Sequence, residues 1–340
     1  MSKAVPLIDI SAFYRRDREP QAMLKLQQEV DRTLRETGFL CVCGTPFHSQ
    51  EISRAQAVAT AFFDQPQAQK DLVHTAANSV RGYTGLGELG LSYAMDAEDL
   101  RSDKKKAPPD LFERYRIGPV DRFPEPYQSI YSQGPYALNV WPANPGEFQD
   151  VLTDYYRKMN ALSRDLLRVF ALTLGLAEEW FEDKVDRSMG SLAINHYPAP
   201  AEAPLPGQLR AGPHTDYGTL TIVAPTATPG GLEIRTKTGS WEAVAVETGT
   251  FVVNIGDMMA QWTNDRWVST VHRVVNAEVC DRALSRRLSL VFFHQPNPDA
   301  LIKCIPTCVS AEQPSKYAAV NAGEYISAKI NRHFKSYLAA

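Results

Sequence analysis

The sequence lacks any long apolar run, and no stretch approaches the roughly 18 consecutive apolar residues that a membrane-spanning helix requires. It also lacks an excess of either charge, since 36 Lys and Arg residues are balanced by 39 Asp and Glu residues, for a net charge of −3. Basic surfaces are the usual electrostatic signature of binding to nucleic acids or membranes. The composition therefore predicts a protein that acts on neither a nucleic acid nor a membrane, and it leaves the oligomeric state open.

Cysteine is scarce, with five residues in 340, and its spacing does not fit a zinc finger. Cys41 and Cys43 lie two residues apart in a strand-like run, and Cys304 and Cys308 flank a proline. We interpret these residues as buried or spectator thiols. The odd number of cysteines, and an N-terminus not followed by the apolar core of a signal peptide, predict a cytoplasmic protein.

The first half of the sequence has helical periodicity. Apolar residues recur at spacings of three and four, which predicts helices over Gln21–Glu36, Ser49–Phe63 and Glu147–Leu174, with Ser49 as an N-cap. Short strands are predicted over 5–10 and 39–43. Residues 75–126 are rich in glycine and show no firm periodicity, so we expect a long loop region near an active site.

From Ser191 onward the period changes to two, and turn residues separate short β-rich runs, which is typical of a jelly roll. The predicted strands are 191–197, 219–224, 231–235, 241–246, 250–254, 267–275 and 287–294. We expect a single domain over 1–340, mainly β with α. It comprises a mostly helical N-terminal part with active-site loops over 1–185, a double-stranded β-helix over 186–300 and a C-terminal helix within 301–340.

Two histidines and an aspartate form the central motif. His214 and Asp216 lie two residues apart in the strand-like run 212–222, so alternation places them on one face. His272 lies in another such run. Two imidazoles and one carboxylate are the facial triad of non-haem Fe(II) oxygenases, which leaves open positions on the metal. Alone, the pair His214 and Asp216 fits a fortuitous arrangement on a solvated edge strand better than a metal site.

Two further pairs share strand faces in the same way. Arg287 and Ser289 offer a guanidinium fork and a hydroxyl, which suit the carboxylate of a small anion. Asn195 and Tyr197 form the second pair. The order N-x-Y, H-x-D, H and R-x-S is far more specific than any of its parts.

That order resembles the isopenicillin-N-synthase-like branch of the Fe(II)/2-oxoglutarate-dependent oxygenases, and the resemblance extends over nearly the whole chain. Similar segments are Val5–Ile10, Gly38–Val42, Phe62–Pro66, Arg81–Tyr83, Asn139–Pro142 and Asn254–Asp257. Gly230–Ile234 and Phe293–Asn297 are most similar to the bacterial ethylene-forming enzymes. Gly44–Pro46 departs from the family, in which many members have a His-Gly turn.

The resemblance implies a dioxygenase with Fe(II), 2-oxoglutarate and O2. It implies that His214, Asp216 and His272 bind iron, and that 2-oxoglutarate is held by Arg287, Ser289, Asn195 and Tyr197. Such an enzyme oxidises an unactivated C–H bond of a small molecule and releases CO2 and succinate. Candidate residues for that prime substrate are Tyr83, Glu88, Arg116 and His294.

Three alternatives stay open at this point. An isopenicillin-N-synthase-type oxidase keeps the triad but uses no 2-oxo acid. An ethylene-forming enzyme fragments 2-oxoglutarate itself. A β-helix that is metal-free or holds zinc would serve as a binding module. The identity of the substrate, and the choice between hydroxylation, desaturation, ring closure and epoxidation, do not follow from the sequence.

Overall fold

The computed structural model describes residues 5–75, 79–94, 108–143, 146–200, 202–226, 228, 230–278 and 282–338. Its helices are α1 Ser11–Tyr14, α2 Pro20–Glu36, α3 Ser49–Phe63, α4 Gln67–Lys70, α5 Tyr127–Ile130, α6 Glu147–Thr173, α7 Glu182–Val185, α8 Asp257–Trp262 and α9 Ala322–Leu338. Short 3-10 turns occur at Asp71–Val73, Leu91–Ala94, Arg282–Ser285 and Pro306–Cys308.

The strands form two main sheets and a small one. They are β1 Leu7–Asp9, β2 Phe39–Cys43, β3 Gly82–Thr84, β4 Glu113–Ile117, β5 Ser191–Tyr197, β6 Ala211–His214, β7 Leu220–Pro225, β8 Leu232–Arg235, β9 Trp241–Ala243, β10 Phe251–Ile255, β11 His272–Val274, β12 Arg287–His294, β13 Leu301–Ile302 and β14 Val320–Asn321. The major sheet has the order β1-β2-β10-β7-β12-β5-β4-β3, and the minor sheet has the order β6-β11-β8-β9. β13 pairs with β14.

Alternation along the strands gives the major sheet two different faces. In β12, Leu288, Leu290 and Phe292 belong to the large apolar core that the helices cover. Arg287 and Ser289, which alternate with them, line a cavity on the opposite face. One face of this sheet is therefore a packing surface, and the other is free to carry polar groups.

The helices cover the packing face. α6 contributes Leu152, Leu162, Leu166 and Phe170 to the large core, and α3 contributes Phe62. Burial of such a side chain is worth about 1.5–3 kcal/mol. A smaller core, which includes Phe39, Cys41, Val252 and Ile234, joins the major sheet to β8 of the minor sheet. The two sheets thus form a jelly roll, which confirms the predicted fold class.

The observed strands 39–43, 191–197 and 287–294 have the predicted bounds, and the long helices begin and end within one residue of the prediction. The expectation for 75–126 is wrong in part, because β3 and β4 extend the edge of the major sheet. The run 212–222 is not one strand, since β6 ends at His214 and β7 begins at Leu220. Residues 267–275 are a strand only at His272–Val274.

The start of α3 also differs in detail. The helix begins at Ser49, but the residue before it, His48, takes the extended cap conformation. The N–H of His48 donates a 2.8 Å hydrogen bond to the carboxylate of Glu51, as in a capping box. Among the helices of the described residues, none combines the length and the apolar character needed to cross a membrane.

Candidate active site

The two histidines of the motif are direct neighbours on paired strands of the minor sheet. His214 ends β6, His272 begins β11, and the two residues are opposite each other in the antiparallel register. Their ring centroids lie 4.3 Å apart. One nitrogen from each imidazole and one oxygen of Asp216 all lie within 4.8 Å of one another, so that a single ion can be shared by all three.

Backbone carbonyls orient both imidazoles. Nδ1 of His214 lies 2.8 Å from the carbonyl oxygen of Gly212, and Nδ1 of His272 lies 3.1 Å from that of Thr270. A carbonyl oxygen only accepts, so Nδ1 carries the proton in each ring and the Nε2 lone pair is left for a metal. Burial and the neighbouring His272 lower the pKa of His214, which favours the neutral, metal-binding form.

Asp216 lies in the connection after β6 and is held from behind by two donors. The hydroxyl of Thr221 and the amide of Asn254 donate to Oδ2 at 2.6 and 2.7 Å. Burial alone would raise the pKa of Asp216. The two imidazoles and these hydrogen bonds outweigh it and hold the pKa below its usual range. The carboxylate is therefore ionised and fixed, and its Oδ2 lies 3.9 Å from Nε2 of His272.

A cavity of about 410 Å³ opens beside this cluster, which is within the range of small-molecule sites. Its lining includes the triad, one face of β12 and part of α9, which contributes Ile326, Ile330 and His333. Nε2 of His333 donates to the carbonyl oxygen of Gly90 at 2.9 Å, and the hydroxyl of Tyr217 donates to Nδ1 of His333 at 3.3 Å. The C-terminal helix thus closes one side of the cavity and limits the entry of water.

Arg287 is a buried cation on the wall of this cavity. Its Nη1 donates to the carbonyl oxygens of Thr226 and Thr228 at 3.3 and 3.5 Å, but Nε has no partner. No ion pair to Arg287 is found among the described residues. Burial lowers its pKa, so the unpaired charge is costly and an incoming carboxylate would relieve that cost.

The other three predicted cosubstrate residues lie beside Arg287. Tyr197 and Asn195 on β5 are opposite Arg287 and Ser289 in the register of the two strands. All four residues line the cavity. The structure therefore brings the N-x-Y and R-x-S pairs together on one wall, next to the triad.

Of the four residues predicted for the prime substrate, only Arg116 lines the cavity. The expectation for Glu88 is corrected, because this residue lies outside the cavity. Its side chain is half-exposed, and Oε2 lies 2.9 Å from Nε2 of His74. Tyr83 is buried, and its hydroxyl donates to Glu113. His294 has the opposite orientation to Phe293, as alternation requires, and its Nδ1 lies 2.7 Å from the hydroxyl of Thr219.

Glu113 and His196 belong to a buried polar cluster outside the cavity. Oε1 of Glu113 lies 2.7 Å from Nδ1 of His196, and Nζ of Lys70 lies 2.7 Å from Oε2. Arg286 Nε donates to Nε2 of His196 at 2.8 Å, so Nδ1 carries the ring proton and donates to Glu113. This placement gives His196 a structural role.

Sequence reasoning missed Arg114, which lines the cavity from β4. Its Nε donates a 2.9 Å hydrogen bond to Oδ1 of Asn195. The alternation of Glu113-Arg114-Tyr115-Arg116-Ile117 carried the signal, because two arginines separated by one residue share a strand face. The glycine-rich composition of residues 75–126 predicts a loop region, and this prediction obscures the alternation in β4.

Comparisons with known proteins identify the class to which this site belongs. A model of the 2OG-Fe(II) oxygenase superfamily matches residues 189–296, and a model described as non-haem dioxygenase in morphine synthesis N-terminal matches residues 5–144. The chain therefore belongs to the 2OG-Fe(II) oxygenase superfamily. It is an enzyme, a non-haem dioxygenase that uses Fe(II), 2-oxoglutarate and O2.

Three relatives illustrate the match. The chain is 30% identical to the 2-oxoglutarate-Fe(II) type oxidoreductase hxnY of Emericella nidulans, over 95% of this chain and 88% of the relative. It is 30% identical to a homoarginine-6-hydroxylase of Oryza sativa, over 98% of each. A crystal structure of a Neurospora crassa protein in complex with alpha-KG and thymine superposes with a TM-score of 0.81 at 29% identity, over 98% and 97% of the two chains.

Proposed function

We propose that His214, Asp216 and His272 ligate the iron, and that Arg287 and Ser289 bind the distal carboxylate of 2-oxoglutarate. Asn195 and Tyr197 complete the cosubstrate wall in this proposal. The observation that carries it is the combination in one cavity of an oriented His-Asp-His cluster and a buried guanidinium that has no anionic partner among the described residues.

The donor set suits Fe(II). Two neutral imidazoles and one carboxylate leave adjacent positions open for a chelating 2-oxo acid and for O2. When bound, iron, 2-oxoglutarate and O2 would provide the chemistry that oxidises a substrate C–H bond, with release of CO2 and succinate. The chain itself orients the ligands through the carbonyls of Gly212 and Thr270 and anchors the cosubstrate through Arg287. It also excludes water by means of α9.

We propose further that the prime substrate is a small molecule and that no nucleic acid or membrane is a partner. A cavity of about 410 Å³ must hold both 2-oxoglutarate and the substrate, which leaves little room for a large molecule. The Neurospora crassa relative binds thymine, which is of a suitable size. The cytoplasmic location, the single domain over 1–340 and the particular resemblance to the ethylene-forming enzymes remain predictions.

An anaerobic titration tests the proposal. Fe(II) and 2-oxoglutarate added to the metal-free protein should give a visible metal-to-ligand charge-transfer band, and Asp216→Ala should abolish it. Asp121→Asn is a matched control, because Asp121 is an exposed carboxylate paired with Arg157 on the surface. Under air, succinate should form as O2 is consumed. An intact band in Asp216→Ala would refute the ligand assignment, and O2 consumption without succinate would favour an oxidase.

A further inference from the structure

The cavity has an unusual balance of charge. Its lining contains four arginines, Arg81, Arg114, Arg116 and Arg287, but Asp216 is the only carboxylate among the described lining residues. Buried charges in proteins are normally paired, because the desolvation of an isolated ion costs several kcal/mol. Each of these arginines therefore needs either a counter-charge or hydrogen-bond acceptors.

Arg81 is satisfied by the backbone. Its guanidinium donates to the carbonyl oxygens of Val80, Pro135 and Ala137 at 2.6, 2.6 and 3.2 Å. It lies so close to Gly118 that a Cβ there would stand 1.9 Å from Nη2. A guanidinium that is wedged against glycine and bound by three carbonyls has a structural role, so Arg81 is not available for a ligand.

Arg287 is assigned to the cosubstrate. With iron and 2-oxoglutarate bound, the charges of Fe(II), Asp216, the dicarboxylate and Arg287 cancel. Arg114 and Arg116 on β4 are then the two cations for which the catalytic groups provide no counter-charge.

The protein provides few hydrogen-bond partners for Arg114 and Arg116, and Asp110 and Asp216 attract Arg114. Arg114 uses Nε for Asn195, and no described residue accepts a hydrogen bond from its terminal nitrogens. Arg116 donates no hydrogen bond to any described residue, and its buried Nε has no partner. Burial, together with repulsion from Arg114 and Arg81, lowers the pKa of Arg116 well below its ordinary value. An anion bound at Arg116 would remove this penalty.

Much of the remaining lining is apolar, with polar side chains at Ser191, Gln295 and Asn331. The guanidinium carbon of Arg116 lies 5.8 Å from the ring centre of Phe293. The other apolar lining residues of the cavity include Leu89, Leu91, Met189, Ile326 and Ile330. A ligand that fits this surface has an apolar body and one anionic end.

We propose that the prime substrate is a small organic acid whose carboxylate binds Arg116 as a two-point pair, with Arg114 as the supporting cation. The planar fork of an arginine matches a carboxylate in this way. The assignment rests on the proposed function, since it names the substrate class of the same site. The acid would be oxidised at a C–H bond of its apolar body, while 2-oxoglutarate is oxidised to succinate and CO2 and O2 is the electron acceptor.

Matched acids and amides test the proposal. The probes are benzoate and benzamide, phenylacetate and phenylacetamide, and hexanoate and hexanamide, each added to anaerobic enzyme with Fe(II) and saturating 2-oxoglutarate. Binding is followed by perturbation of the charge-transfer band. We expect acids to act at concentrations at least about 10-fold lower than their amides, since a charge-assisted pair is worth more than about 1.4 kcal/mol.

Arg116→Gln should reduce this preference to near unity while leaving the affinity for 2-oxoglutarate unchanged. Arg157→Gln, which removes an exposed arginine on α6, should keep the preference. If Arg116→Gln fails to fold, Arg116→Lys serves instead, and it should give an intermediate preference because it keeps the charge and loses the fork.

The outcomes separate the two proposals. Absence of the band when Fe(II) and 2-oxoglutarate are both present, without any probe, refutes the proposed function. A normal band with equal binding of acids and amides refutes only the acid subsite. A preference that survives in Arg116→Gln, or acids that abolish the band by displacing 2-oxoglutarate, would also overturn the assignment of Arg116.

Discussion

His214 and His272 are opposite each other on two antiparallel strands, so the pairing of β6 with β11 sets the distance between the two imidazoles. Their Nδ1 protons are directed to the carbonyls of Gly212 and Thr270. Asp216 reaches the same point from the connection that follows β6. Backbone pairing and local hydrogen bonds thus order the metal site. Metal binding therefore loses little free energy to the ordering of the ligands.

Asn254 should be important for metal affinity, although it is not a ligand. Its amide donates to Oδ2 of Asp216 at 2.7 Å from β10. Asn254→Leu leaves only Thr221 to orient the carboxylate and should weaken Fe(II) binding by about 10–100-fold, the usual cost of losing such a partner. Isothermal titration with Mn(II) as a redox-stable substitute measures this effect. Unchanged affinity would show that Thr221 alone fixes Asp216.

Arg287 should control the dependence on 2-oxoglutarate. Arg287→Lys keeps a cation but loses the planar fork, so the KM for 2-oxoglutarate should rise by about 30-fold or more, equivalent to at least about 2 kcal/mol. The neighbour provides a matched control, because Arg286 is on the opposite face and pairs with Asp64 at 2.7 Å. Arg286→Lys should leave this KM unchanged. Equal effects of both substitutions would mean that the loss reflects packing rather than a contact with the cosubstrate.

Periodicity predicted those parts of the fold in which one face of an element is buried. Helix α6 and strand β12 have strictly patterned apolar residues, and their bounds agree with the prediction to within one residue. Alternation also predicted that Arg287 and Ser289 would share one face, and both line the cavity. The cavity wall formed by β5 and β12 followed from the same argument.

Other features depend on pairing between segments that are distant in sequence. β4 pairs with β5 and β3 pairs with β4 at the edge of the major sheet, whereas the glycine-rich composition around these short strands is typical of a loop. Glu88 looked accessible to a substrate, but His74, which is 14 residues away in sequence, binds it at the surface. Such a partner cannot be identified from local pattern alone.

The acid Asp110 should make stability depend on pH. Its oxygens accept the N–H groups of Leu91 and Gly212 at 2.7 and 2.8 Å, and Arg114 is the charged group near it. Burial nevertheless raises its pKa to about 7. Since the folded pKa exceeds the unfolded value of about 3.9, this site contributes stability at low pH that is lost as the pH rises through 7.

Urea unfolding of wild type and Asp110→Asn at pH 5 and pH 8 measures this contribution. The free energy of unfolding of the wild type, relative to that of Asp110→Asn, should be higher at pH 5 than at pH 8 by about 2–3 kcal/mol. A difference that is independent of pH would show that the two backbone amides keep Asp110 ionised in the folded state.

Lys70 and Glu113 form a buried ion pair, with Nζ and Oε2 2.7 Å apart and both side chains less than 10% exposed. Burial alone would raise the pKa of Glu113, but His196, Lys70 and Tyr83 outweigh it and lower the pKa. Glu113→Gln leaves the ammonium group buried without a counter-charge. It should therefore reduce the free energy of unfolding by about 3–5 kcal/mol.

A double-mutant cycle with Lys70→Met isolates the pair. Lys70→Met alone leaves Glu113 with His196 and Tyr83 as partners, so its cost should be smaller than that of Glu113→Gln. The double variant should be less destabilised than the sum of the single variants by about 2 kcal/mol or more, because neither charge is then left alone. Urea unfolding of the four proteins at pH 7.5 gives the coupling energy. Strict additivity would mean that Glu113 is held by His196 and Tyr83 and that Lys70 contributes only packing.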